Sequence, residues 1–192
     1  MMDLNLKNKK VFVSGSSRGI GFYIAKKFIE EGAEVVINAR NLEELDAAAI
    51  SLGNCKRVVG DVSNAVDAVN TITSAANILG GMDIVICNVG SGSSVPPGQE
   101  NYDEWQRVFA VNFFSATNLI EASRKFLENS HGSIVCISSI CGSETIPGAP
   151  VTYSVAKSAL NTYVKSISVP LALEGIRINS VAPGNINFDG SV

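Results

Sequence analysis

The chain has 192 residues, 46% of them hydrophobic and 17% charged, which suffices for one domain with a substantial core and is too short for two large ones. A net charge of −3 gives no electrostatic reason to expect nucleic acid or an anionic membrane as partner, and no apolar run reaches the roughly eighteen residues of a membrane span. The first ten residues lack the apolar segment of a signal peptide. The cysteines, Cys55, Cys87, Cys136 and Cys141, form no C-x-x-C pair, so reduced structural thiols, no metal and a cytoplasmic location are expected.

In chain order, residues 9–14 (KKVFVS) form a β-branched and aromatic run, followed at once by a glycine-rich loop, 15–21, and an amphipathic helix over about 20–31 that Gly32 closes. A strand at 34–39 and a helix at 42–52 come next, then a strand at 56–60 and a helix at 64–79. Residues 82–88 (MDIVICN) read as a strongly apolar strand, 90–98 as a Gly/Ser/Pro loop and 102–128 as one long helical region. The fifth strand spans 133–138, a helix spans 153–174, and the last strand spans 176–181. Pro170 lacks a backbone donor and should kink or end that last helix. Unbroken apolar strands alternating with helices predict an α/β fold, a doubly wound parallel sheet with helices on both faces in a single domain.

Two stretches carry chemistry. Gly15, Gly19 and Gly21, in the spacing G-x-x-x-G-x-G, stand between the first strand and the first helix. In that context glycines permit a tight turn and let the backbone approach a pyrophosphate resting on the helix N-terminus. Tyr153 and Lys157 are an i, i+4 pair on one helix face. A phenol titrates near pH ~10, and a cation one turn away lowers that value, which suits the group to pass a proton to or from a substrate oxygen.

These motifs, with Asp61-Val62, Asn88-x-Gly90, Asn112, Ser139 and Pro183-Gly184 in order around them, resemble the short-chain dehydrogenase/reductase family over essentially the whole chain, and in particular its 3-oxoacyl-[acyl-carrier-protein] reductase-like members. The resemblance implies that Tyr153 is the general acid/base and that Lys157 tunes it and binds the nicotinamide ribose. It further implies that Ser139 holds the substrate oxygen, with Ser138 as a competing candidate, and that Asn112 positions a water in a proton relay. Cofactor contacts are implied for Gly15, Ser17, Arg18, Gly19, Ile20, Gly21, Asp61, Val62, Asn88, Gly90, Tyr153, Lys157, Pro183, Gly184 and Ile186. Asp61 reads either as an adenine ligand or as the cap of the next helix. Departures from the family pattern are Ser14 in place of the usual threonine, Val89, and Phe188 where a threonine often stands. His131, the only histidine, falls in a turn at the strand N-termini, away from such a site.

At the end of the second strand, where an acid usually binds the 2′-hydroxyl of NAD, the chain has Ala39-Arg40. With Arg18 in the loop, this favours NADP(H) over NAD(H), because an arginine fork suits phosphate. The function expected is hydride transfer between a nicotinamide cofactor and a carbonyl or secondary alcohol (an oxoacyl thioester, sugar or small ketone). The alternative is a non-catalytic dinucleotide-binding regulator or scaffold. The long helices carry Phe109, Phe113, Leu119, Tyr163 and Val164, read as outward-facing, so a homodimer or homotetramer is expected. By resemblance, about sixty further residues, with another strand and a substrate lid, would follow Val192.

Overall fold

Six short runs rich in β-branched residues form the strands β1 (Lys10–Val13), β2 (Glu34–Ala39), β3 (Lys56–Val59), β4 (Ile84–Cys87), β5 (Ser133–Ile137) and β6 (Arg177–Val181) in the computed structural model, which describes residues 3–187. Every neighbouring pair is parallel, in the order β3-β2-β1-β4-β5-β6. The helices are α1 (Gly19–Glu30), α2 (Leu42–Ser51), α3 (Ala65–Leu79), α4 (Tyr102–Phe109), α5 (Ser115–Glu128) and α6 (Val151–Leu173). Among the described residues, no helix is long and apolar enough to cross a membrane.

Successive strand side chains point to opposite faces, and the core divides accordingly. Phe12 packs with Val36, Val85 and Ile134 against Ile72, Leu119 and Leu160 of α3, α5 and α6. Its neighbours Val11 and Val13 pack with Ile37 and Ile86 on the other face, against Ala25 and Leu45 of α1 and α2. Burial on both faces explains why these strands read as continuous apolar runs. Strand order reverses between β1 and β4, so the crevice beyond their carboxyl ends is where such a sheet takes ligands.

Three details differ from the sequence reading. Helix α6 begins at Val151, two residues earlier than expected, and runs through Pro170 to Leu173 instead of ending at the proline. The proline sits in the last turn and removes one donor there, while fully buried Leu171 anchors that turn and its carbonyl accepts from Ile176. The 102–128 region is helical throughout, but Ala110–Phe114 form a π-helical turn in which the Ser115 amide donates to the Ala110 carbonyl. Finally, Leu119 and Val164 face the core rather than solvent, since both are buried within the chain.

Candidate active site

Gly15 and Gly19 both hold φ near +58°, a left-handed conformation that only glycine adopts without strain. Gly21 is required for a different reason. A Cβ there would lie 2.4 Å from both the Asn88 Nδ2 and the Gly15 carbonyl oxygen. Helix α1 starts at Gly19 with no side-chain cap, which leaves its first amides open toward an anion. The loop is fastened to β4 by Asn88, whose Nδ2 donates to the Ser14 and Gly15 carbonyls at 3.1 and 2.9 Å. The Ser14 hydroxyl donates to Ile86 and accepts from the Asn88 amide, so the serine keeps the function expected of a hydroxyl at this place.

A cleft of about 610 Å³ opens over these strand ends, lined by Gly15, Ser17, Arg18, Arg40, Asp61, Val62, Asn88 and Gly90. Gly19 and Gly21 belong to the turn that forms it. Ile20, Pro183 and Ile186 line a second, apolar groove along α1. Gly184 follows Pro183, whose carbonyl accepts from Ile140 beyond β5. Phe188 lies outside the described residues.

Asp61 does not cap α3, because Asn64 does, accepting from the Val66 and Asp67 amides. Burial by itself would raise the Asp61 pKa, but hydrogen bonds from the Ser63 hydroxyl and amide, then the Arg40 charge, outweigh it and hold the carboxyl below its usual value. Arg40 lies 3.5 Å from Asp61 with its side chain 70% exposed, a weak pair that leaves the guanidinium free to reach a ligand.

Sequence reasoning missed several residues here. Asn38 is buried and spans the ends of β2 and β3, its Nδ2 donating to the Val58 and Gly60 carbonyls. An asparagine inside the apolar run EVVINA was the available signal. Asn41, Glu44, Ser63 and Ser91 also line the cleft. Glu44 is an acid on the same rim as Arg40.

At the end of the cleft nearest α6, Asn112 occupies the π turn and is buried. Its Oδ1 accepts from the Ser91 amide at 2.9 Å, and its Nδ2 donates to the Ser91 and Val108 carbonyls, both at 3.1 Å. Both amide protons are thereby committed to protein, so this side chain holds the loop after β4. Gly90 beside it fits tightly: a Cβ would come within 3.0 Å of Lys157 Nζ and 3.1 Å of Asn112 Oδ1, so either side chain would have to shift.

Lys157 is 3% exposed and donates to the Ile137 carbonyl at 2.9 Å. Burial pushes its pKa down to about 8. Its ammonium lies 5.9 Å from the Tyr153 ring centroid. The expected depression of the tyrosine is not found. Burial raises the Tyr153 pKa, and the facing Ser139 hydroxyl offsets this only in part. The reason is that a half-buried phenol loses hydration while the nearby ammonium is itself desolvated and directed to a carbonyl. Ser138, the competing serine, is turned toward the backbone of α6, donating to the Lys157 carbonyl at 3.4 Å. Gly142 allows this approach of the β5 loop to α6, since a Cβ there would sit 2.7 Å from the Lys157 backbone. His131 is at the opposite end of the sheet, against Gly175.

A doubly wound parallel sheet, a glycine turn cut to fit a close backbone approach, and a serine, tyrosine and lysine gathered at the same strand ends define a nicotinamide-dependent dehydrogenase or reductase. Comparison with known proteins agrees. The profile described as short chain dehydrogenase matches residues 9–191. The chain is 32% identical over 191 residues to human "Dehydrogenase/reductase SDR family member 2, mitochondrial", covering 97% of this chain and 68% of that one. It is 34% identical over 189 residues to glucose 1-dehydrogenase of Gluconobacter oxydans, covering 93% and 69%. The solved Pseudomonas aeruginosa RhlG/NADP active-site complex superposes with a TM-score of 0.91 at 26% identity, covering 97% of this chain and 77% of that one. The chain belongs to the short-chain dehydrogenase/reductase family.

Proposed function

We propose that the protein transfers hydride between NADP(H) and a carbonyl or secondary alcohol, with Tyr153 as general acid/base. The observation that carries this reading is the convergence of Ser139, Tyr153 and Lys157 beside the cleft. When bound, the nicotinamide supplies or accepts the hydride. A phenol is protonated at neutral pH, the state needed to donate to a carbonyl oxygen during reduction. The Ser139 hydroxyl faces the same phenol and holds the substrate oxygen. Lys157 spends one of its three donors on Ile137 and has two left for ribose hydroxyls. Asn112 acts by fixing Ser91 and Gly90 against that lysine. Arg18 and Arg40 on the cleft rim favour a 2′-phosphate.

Glu44 on that rim supports a second reading of the cofactor, NAD(H), since a carboxylate repels a 2′-phosphate. Oxoacyl thioesters, sugars and small ketones remain the substrate classes to screen, the glucose 1-dehydrogenase relative adding aldoses to the panel. The experiment is NADPH consumption with that panel, by wild type and Tyr153→Phe. Loss of the hydroxyl alone should lower turnover ~10²-fold or more with the fold intact. Wild-type turnover in Tyr153→Phe would remove the tyrosine from the mechanism, and no wild-type turnover on any compound would favour a non-catalytic dinucleotide binder.

A further inference from the structure

Helix α6 has an N-terminal problem that the site depends on. Its N-cap is Pro150, which has no side-chain acceptor, and no side chain caps the first turn. An uncapped helix end frays. Tyr153 is the third residue of that turn, so fraying would move the phenol directly.

A tertiary tie restrains this first turn through a side chain. Thr152, fully buried, shares a hydrogen bond of 2.6 Å with the Ser94 hydroxyl, and Ser94 Oγ in turn lies 2.7 Å from Glu104 Oε1. Glu104 is the hub of this chain. It also accepts from Arg107, and the Arg107 guanidinium donates to the Ser93 carbonyl at 2.9 Å. The Glu104 side chain is 13% exposed, although it sits on a surface helix. The Arg107 and Ser94 hydrogen bonds hold its carboxyl down to about 2, so it remains an acceptor at any working pH. The loop after β4 is thus stitched to Asn112 at Ser91, to Arg107 at Ser93, and to both α4 and α6 at Ser94.

We propose that Ser94, gripped between Glu104 and Thr152, is a positioning residue that locks the β4–α4 loop to the first turn of α6 and so fixes where Tyr153 stands relative to the cofactor cleft. This rests on the reading of Tyr153 as the acid/base. Ser94 touches neither cofactor nor substrate in this scheme and acts through the helix it restrains.

The test compares full-chain wild type with Ser94→Ala, Ser94→Thr, Glu104→Gln and Tyr153→Phe. Amide hydrogen exchange should speed up ~10-fold in Ser94→Ala, in residues 89–95 and 151–155 together, because one hydrogen-bonded tie holds both. With the fastest ketone of the panel, kcat should fall ~10–100-fold, as expected for a sub-ångström misplacement. The NADPH Kd should move less than about threefold and the pH profile should not shift. Ser94→Thr, which keeps the hydroxyl, should restore both exchange and kcat. Glu104→Gln, should Ser94→Ala not fold, carries the same expectation at smaller size. Exchange rising in the loop alone, kcat within about twofold of wild type, or no rescue by threonine would each overturn the proposal. Retained turnover in Tyr153→Phe would instead overturn the acid/base reading, while the exchange comparison would still report whether the lock exists.

Discussion

Burial of Lys157 has a consequence for stability that can be worked out in advance. A free lysine titrates at 10.5, and the folded one at about 8. Between those values the unfolded chain holds a proton that the folded chain has released. The folded pKa is depressed for a base, so stability from this group rises as pH climbs through that window. Integrating the difference in bound protons from pH 7 to pH 9.5 gives about 2 kcal/mol, out of about 3.4 kcal/mol for the whole shift. The thiol of Cys55, raised by burial, and that of Cys87, raised by its hydrogen bond with Cys136 and by burial, act in the opposite sense, but they are common to wild type and variant. The perturbation is Lys157→Met, and the measurement is urea unfolding of both proteins at pH 7 and pH 9.5. Methionine leaves the Ile137 carbonyl without its donor and costs stability at every pH, yet it cannot titrate. Wild type should therefore gain about 2 kcal/mol on the variant between the two pH values. Parallel profiles would show that Lys157 is not depressed, and a relative loss by wild type would show that the sign is wrong.

The geometry of the cleft and of the outer helices carries three further expectations. Gly21→Ala should abolish measurable NADPH binding in a fluorescence titration, because its Cβ would need the space of Asn88 and the Gly15 carbonyl, and a folded variant with wild-type affinity would refute that fit. Arg40→Ala should weaken NADPH by ~10–150-fold and NADH far less, while Glu44→Gln should strengthen NADPH; equal losses for both cofactors in Arg40→Ala would sink the 2′-phosphate assignment. Phe114, Val155 and Leu173 are exposed apolar residues on or beside the long helices, with Leu173 88% exposed. Sedimentation should show a homodimer or homotetramer that Phe114→Glu weakens, and a wild-type monomer at micromolar concentration would count against an interface there.

The alternation of apolar runs with amphipathic segments sufficed for the class of fold, because burial on both sheet faces leaves no polar alternation in a strand. The glycines were legible for a similar reason: backbone geometry at Gly15 and Gly19, and the space denied at Gly21, are demands that few other residues meet. The i, i+4 spacing likewise put Tyr153 and Lys157 on one face. What the sequence could not supply were the consequences of desolvation and of long-range pairing. Proximity of Lys157 suggested a lowered tyrosine pKa, whereas burial of both groups raises the phenol and lowers the ammonium. Asn112 was legible as a site residue, but the π turn that brings its side chain against Ser91 was not. Pro170 read as a kink or an end within the 153–174 helix, because local backbone chemistry says nothing of the core that Leu171 reaches. Ser94, Glu104 and Thr152 carry no motif at all. Their hydroxyls and carboxylate matter only because the fold closes separations of ten and fifty-eight residues to hydrogen-bond distance, and that is a property of the tertiary structure alone.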